Sequence, residues 1–167
     1  MVNYVYVGGG FFPEDGMIHS FRLSLGDSPA LTPLTAVRQG GSFPLWIAAD
    51  AAKAFVYTTD SPNGADDGFV HAYALGEGGV LTHLNKQCAG GAVSCHLSVV
   101  GKTVLIANYS GSNVACLPIQ ADGSLGSATV HAHPAGTGDL PPCASGRQVE
   151  PLRRSRYAPS MLSSTFI

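Results

Sequence analysis

Short apolar runs rich in β-branched and aromatic residues alternate with small polar turns along the chain, and they repeat. "PLWIAADAAKAFVYTTD" (44–60) aligns with "SCHLSVVGKTVLIANY" (94–109) with one residue deleted. "GFVHAYALGEGGVLTHL" (68–84) aligns with "SNVACLPIQADGSLGSA" (112–128), and "GMIHSFRLSLGDSPALTPL" (16–34) is a third copy of that second half. The unit is four strands long at a spacing of roughly 40 to 50 residues, the range of propeller blades. Labelled A to D, the strands of one unit are predicted at 44–49, 54–60, 68–75 and 80–87, and those of the next at 94–99, 103–109, 113–119 and 124–131. "FVYTTD" and "VLIANY" have strand chemistry, and both follow a lysine turn, at Lys53 and Lys102, suited to a tight hairpin. Asp122-Gly123 favours a two-residue hairpin turn through its tolerance of left-handed backbone.

The N-terminus supplies only strands B, C and D, as "NYVYVG", "MIHSFRL" and "LTPLTAV". Closed propellers complete such a blade with a strand from the far end of the chain, which removes an exposed edge. The far end of this chain does not resemble that strand. The expected fold is therefore all-β, a partial β-propeller of about two and three-quarter blades of four-stranded antiparallel sheets.

Composition agrees with one globular domain. The 167 residues are 45% hydrophobic and 12% charged, enough to bury a core, and 21 glycines with 11 prolines favour many turns over long helices. The net charge of −2 argues against nucleic acid or a membrane surface as partner and for a small-molecule or protein partner. The N-terminus lacks the basic start and apolar core of a signal peptide, and no run reaches membrane-spanning length, which predicts a cytoplasmic protein. Cys88, Cys95, Cys116 and Cys143 form no CxxC pair and are expected to be reduced thiols; His131 and His133 lack a matching ligand pair and fit a solvated edge, so no metal is expected. The "GGG" at 8–10 lacks the lysine and helix of a phosphate loop and reads as a turn.

The order "YVGG", "GMIHSFRL", "FVYTTD", "CHLSV", "VLIANYSGSNVACLPIQADGSLG" and "GRQVEP" resembles the amino-terminal part of the seven-bladed propeller lactonases, the 6-phosphogluconolactonase type that also includes fungal muconate-lactonising enzymes. The resemblance runs from about Val2 to Pro151 and implies a lactone hydrolase acting on a sugar δ-lactone, without cofactor. It also implies seven blades, which need more than about 300 residues. Beyond "GRQVEP" the family continues into a histidine-rich strand, whereas this chain reads "LRRSRYAPSMLSSTFI", with Leu152 where a histidine is expected. Charge breaks at the same place. Residues 147–167 carry four arginines against Glu150, a net of +3, and residues 1–146 carry a net of −5. The chain is thus expected to divide into a partial lactonase propeller, 1–146, and a divergent, poorly ordered basic tail, 147–167, from a truncated or frame-altered product; a basic tail that binds an acidic partner is the alternative.

Lactone hydrolysis needs a base for the attacking water and donors for the oxyanion. The resemblance implies His96 and Glu150 as catalytic groups and Arg147 and Gln148 as substrate-binding groups, the arginine suiting a phosphate. Trp46 occupies the position of His96 in the preceding unit, so the fold itself does not demand histidine there. Asn108 and Tyr109 end a B strand, repeat the position of Thr59 and Asp60, and could meet a substrate hydroxyl; an asparagine bridging a turn is the structural alternative. Two further readings stay open: a muconate-lactonising relative, and a non-catalytic partial propeller that self-associates through open blade edges.

Overall fold

The computed structural model describes residues 3–9, 17–34, 41, 43–62 and 67–132, together with the backbone of 163–166. Its strands are β1 (Asn3–Gly9), β2 (Met17–Ser24), β3 (Ala30–Pro33), β4 (Pro44–Ala49), β5 (Phe55–Asp60), β6 (Phe69–Leu75), β7 (Leu81–Cys88), β8 (Ser94–Val100), β9 (Thr103–Asn108), β10 (Asn113–Pro118), β11 (Thr129–Ala132) and β12 (Ser163–Phe166). They form three four-stranded sheets in the orders β12-β1-β2-β3, β4-β5-β6-β7 and β8-β9-β10-β11. All pairings are antiparallel. Strand β4 neighbours β12, β1 and β8, so successive sheets stand side by side with their first strands together, as propeller blades do.

Strand alternation places an apolar set on each face of the middle sheet. Ile47, Val56, Tyr73 and Leu81 pack on Tyr6 and Ile18 of the first sheet. Tyr57, Val70 and Ala72 pack on Leu97, Val104, Ile106, Ala115, Leu117 and Leu125 of the third. One polar contact repeats across both junctions. The Tyr6 hydroxyl donates to the Gly79 carbonyl at 2.8 Å, and the Tyr57 hydroxyl to the Gly123 carbonyl at 3.0 Å. In each case an aromatic ring two residues earlier lies where a glycine Cβ would be: Tyr4 over Gly79 and Phe55 over Gly123. In the ladder of the third sheet Thr103 and Leu105 take the places of Phe55 and Tyr57, so the aromatic pair ends there.

Several sequence expectations are corrected. The first sheet has its fourth strand: β12 pairs with β1 from Val5↔Phe166 to Gly8↔Ser163. Its Ser, Thr and Phe residues suit a strand, and the inner edge of β1 offers unpaired backbone groups. Gly8 and Gly9 extend β1 instead of turning; a Cβ on Gly8 would stand 2.9 Å from the Pro44 carbonyl, so glycine permits β1 to approach β4. The Asp122-Gly123 hairpin has a longer loop than two residues. Gly123 N–H donates to Gln120 O, Gln120 N–H to Ser124 O, and Gly123 alone has positive φ, 85°. The last strand of the third sheet is four residues, not eight. The backbone before it keeps a single bridge to its own sheet, Ile119↔Leu125, while Asn85 of β7 donates to Leu125 O at 2.8 Å and accepts from Leu125 N–H at 2.9 Å.

Candidate active-site groove

The innermost strands β4 and β8 share a bulge. Pairing with β5 skips between Pro44 and Trp46, and pairing with β9 skips between Ser94 and His96. Bulges re-aim side chains, and here the first paired residues after them are Trp46 and His96, whose rings meet at 4.3 Å between centroids with their planes 46° apart. The ladder place left by the bulge in β4 is filled by the Thr59 hydroxyl, which accepts from Trp46 N–H at 3.0 Å. An open groove of about 490 Å³ runs along the two strands and is lined by Trp46, Ile47, Ala48, Ala49, His96 and Ser98, with Asp50 and Lys53 at its far end. His96 is exposed, and Trp46 keeps 38% of its surface in contact with solvent.

Asn108 holds this groove from behind. It is only 2% exposed; its carbonyl oxygen accepts from Ser94 Oγ at 2.7 Å, and its amide donates to Ala89 O and Asn113 Oδ1. These bonds tie the start of β8 to β9 and to the connection before it, where Val93, a β-branched residue, is held at φ 53°. Tyr109 lies just beyond β9 with its side chain 78% exposed and its N–H bonded to Val93 O. Ladder register also moves the repeat by one position. Asn108 opposes Ser94 as Asp60 opposes Pro44, so Asn108 corresponds to Asp60 and not to Thr59. Asp60 does the same work, accepting from Phe43 N–H at 2.8 Å.

Asp60 also begins a polar chain that sequence reasoning missed. His71 Nε2 lies 3.5 Å from Asp60 Oδ2, and His71 Nδ1 lies 3.2 Å from His83 Nε2. Burial, and then the neighbouring His71, push the His83 imidazole below its ordinary pKa. His71 is buried, so this chain faces the junction of the first two sheets and not the groove. The signal in sequence was two histidines on consecutive strands, but only the bulge between Ala72 and Tyr73 sets their registry.

Arg147, Gln148 and Glu150 lie outside the described residues, as do Cys143 and His133. Cys88, Cys95 and Cys116 are free thiols, and His131 is exposed. Among the described residues no three His, Cys, Asp or Glu side chains gather as metal ligands.

Comparison with known proteins gives the same picture. The family described as "Lactonase, 7-bladed beta-propeller" matches residues 4–149. The chain is 33% identical over 142 residues to the 6-phosphogluconolactonase of Bacillus subtilis, covering 83% of this chain and 40% of that protein. The crystal structure of a candidate 6-phosphogluconolactonase from Bacteroides fragilis is similar with a TM-score of 0.72 and 30% identity, over 83% of this chain and 38% of that one. The periplasmic gluconolactonase of Pseudomonas aeruginosa shares the fold, with a TM-score of 0.68 at 22% identity. The chain thus spans about two fifths of the length of these relatives. With three blade-like sheets in succession and a match over nearly the whole described region, the chain belongs to the seven-bladed β-propeller lactonase family.

Proposed function

We propose that this chain carries lactone hydrolase chemistry, the hydrolysis of a sugar δ-lactone such as 6-phosphogluconolactone. The observation that carries this reading is His96, exposed at a groove between the innermost strands of a lactonase-family propeller. A neutral imidazole there accepts a proton from water as the water attacks the ring carbonyl. The tetrahedral intermediate collapses, the ring C–O bond breaks, and the imidazolium returns the proton to the leaving ring oxygen. Lactone and water become a hydroxy acid, with no cofactor needed.

Glu150 serves in this reading as the second acid–base group, and Arg147 and Gln148 as binders of phosphate and hydroxyl; their roles rest on the family resemblance. Tyr109 is exposed and free to meet a substrate hydroxyl, whereas Asn108 spends its amide on the fold and supports the strand of His96. This reading gives the protein a metabolic role, in carbohydrate metabolism, with the cytoplasm as its proposed location. Among the described residues no helix is long and apolar enough to cross a membrane.

The test is a substrate panel for the purified chain: 6-phosphogluconolactone, unphosphorylated gluconolactone and a muconolactone, with product analysis. Faster opening of the sugar lactones than in buffer supports the proposal. Turnover of the muconolactone alone moves the chain to the lactonising branch of the family.

A second reading is favoured by the outer face of the third sheet. Val100 and Val114 are exposed there, beside the half-buried Leu105 and Cys116. We infer from this apolar face a surface that pairs with another copy or another propeller segment. A sharp monomer peak at micromolar concentration overturns it.

A further inference from the structure

Trp46 is the only tryptophan of the chain, and the fold places it in the groove wall in partial contact with water. Packing alone does not account for it. The corresponding position of the next innermost strand holds His96, so the bulge accepts a smaller polar ring without change of register. A tryptophan left partly exposed forgoes much of the burial that makes this residue favourable. Its neighbours along β4, Ala48 and Ala49, are small and leave open space beside the indole. The groove's volume of about 490 Å³ falls within the range of small-molecule sites, roughly 300–1,000 Å³. The imidazole of His96 packs against the indole in a tilted contact, 4.3 Å between ring centroids with the planes 46° apart.

From this arrangement we propose that Trp46 is the platform on which the ring of a sugar lactone stacks, its carbonyl edge turned toward His96. Six-membered sugar lactones are amphipathic. Their C–H groups give the ring an apolar face, and their hydroxyls and carbonyl project from the rim. An indole face accepts the former, while a titratable group beside it meets the latter. Trp46 is therefore a binding and positioning residue, and His96 the group that reaches the reacting carbon. The inference rests on the lactone hydrolase reading and deepens it by assigning the surface that holds the ring.

Because Trp46 is unique, its own emission reports on the groove. The full-length chain is titrated with the δ-lactam of gluconic acid, which has the ring but does not hydrolyse. The steady-state hydrolysis of gluconolactone is measured for wild type, Trp46→Phe, Trp46→Ala and His96→Ala. Expected are a saturable blue shift of the emission in both wild type and His96→Ala, and a KM raised about tenfold in Trp46→Ala with kcat little changed. Trp46→Phe keeps an aromatic face and falls between wild type and Trp46→Ala, which a purely structural role would not produce. The proposal is overturned if wild type hydrolyses lactones while the lactam leaves the emission unchanged, or if Trp46→Ala keeps the wild-type KM. A saturable shift in a chain that opens no lactone upholds the platform and defeats the hydrolase reading; absence of both defeats both.

Discussion

Replacing Gly123 by alanine tests whether the sheets are joined as described. Gly123 has φ of 85°, where an L-residue pays about 1–2 kcal/mol. Its new Cβ would lie 2.1 Å from Cδ1 and 2.2 Å from Cε1 of Phe55, a ring of the neighbouring sheet that packs against the core. Overpacking of this kind adds about 1–3 kcal/mol, so the expected loss is roughly 2–5 kcal/mol in total. Gly101 is the control. It too has positive φ, 58°, but no atom lies within 4 Å of its added Cβ, and Gly101→Ala should cost only the conformational part, about 1–2 kcal/mol. Urea denaturation with linear extrapolation measures both. In a Phe55→Ala background the cost of Gly123→Ala should fall to that of Gly101→Ala, a coupling of about 1 kcal/mol or more. Equal costs for the two glycines, or no relief from Phe55→Ala, would refute the junction.

Asn108→Ala should lower stability by about 2 kcal/mol in the same assay, since it leaves the buried Ala89 carbonyl and Ser94 hydroxyl without their partner. Acid should destabilise the fold through His83. Its folded pKa lies below the ordinary value of 6.5, so the unfolded chain binds the proton first, and stability falls as pH drops below about that value. A His83→Gln variant should show a flatter thermal-melting profile between neutral and mildly acidic pH. Alkali acts through Tyr6 and Tyr57, whose phenols burial pushes up to about 12. The unfolded phenols ionise near 10 while the folded ones stay neutral, so the stability they contribute is lost as pH rises from 10 toward 12. Spectrophotometric titration should reveal a late class of phenols that disappears on unfolding.

The strands themselves were legible because apolar alternation and the self-similarity of 44–60 and 94–109 are local properties. Strand β4 was placed at both ends, and β5, β6, β8, β9 and β10 within a residue at each boundary. What failed depended on partners distant in the chain. The pairing of β12 with β1 joins segments over 150 residues apart, and nothing in "SSTF" announces it. Leu125 keeps only a single bridge in its own sheet, to Ile119, and its N–H and carbonyl bind Asn85 of another sheet. The repeat was aligned with one residue deleted where two are missing, since the β4–β5 connection is two residues longer than the β8–β9 connection; ladder register, with Ala49 opposite Val56 as Val99 is opposite Val104, shows that Asn108 matches Asp60. For the groove, His96 was reachable by resemblance, and Trp46 was noticed only as its counterpart. One signal was available and unread: "YVY" at 4–6 and "FVY" at 55–57 place a buried tyrosine against a glycine turn of the next unit, and "TVL" at 103–105 ends the series.

The central claim is that His96 performs lactone chemistry in the groove between β4 and β8. Its most direct test is the rate of 6-phosphogluconolactone hydrolysis by the purified chain, wild type against His96→Ala, with the melting temperature of each recorded beside it. The account predicts hydrolysis above buffer for wild type and loss of about 10²–10⁴-fold in kcat for His96→Ala without loss of fold. Wild-type rates in a folded His96→Ala protein would contradict it.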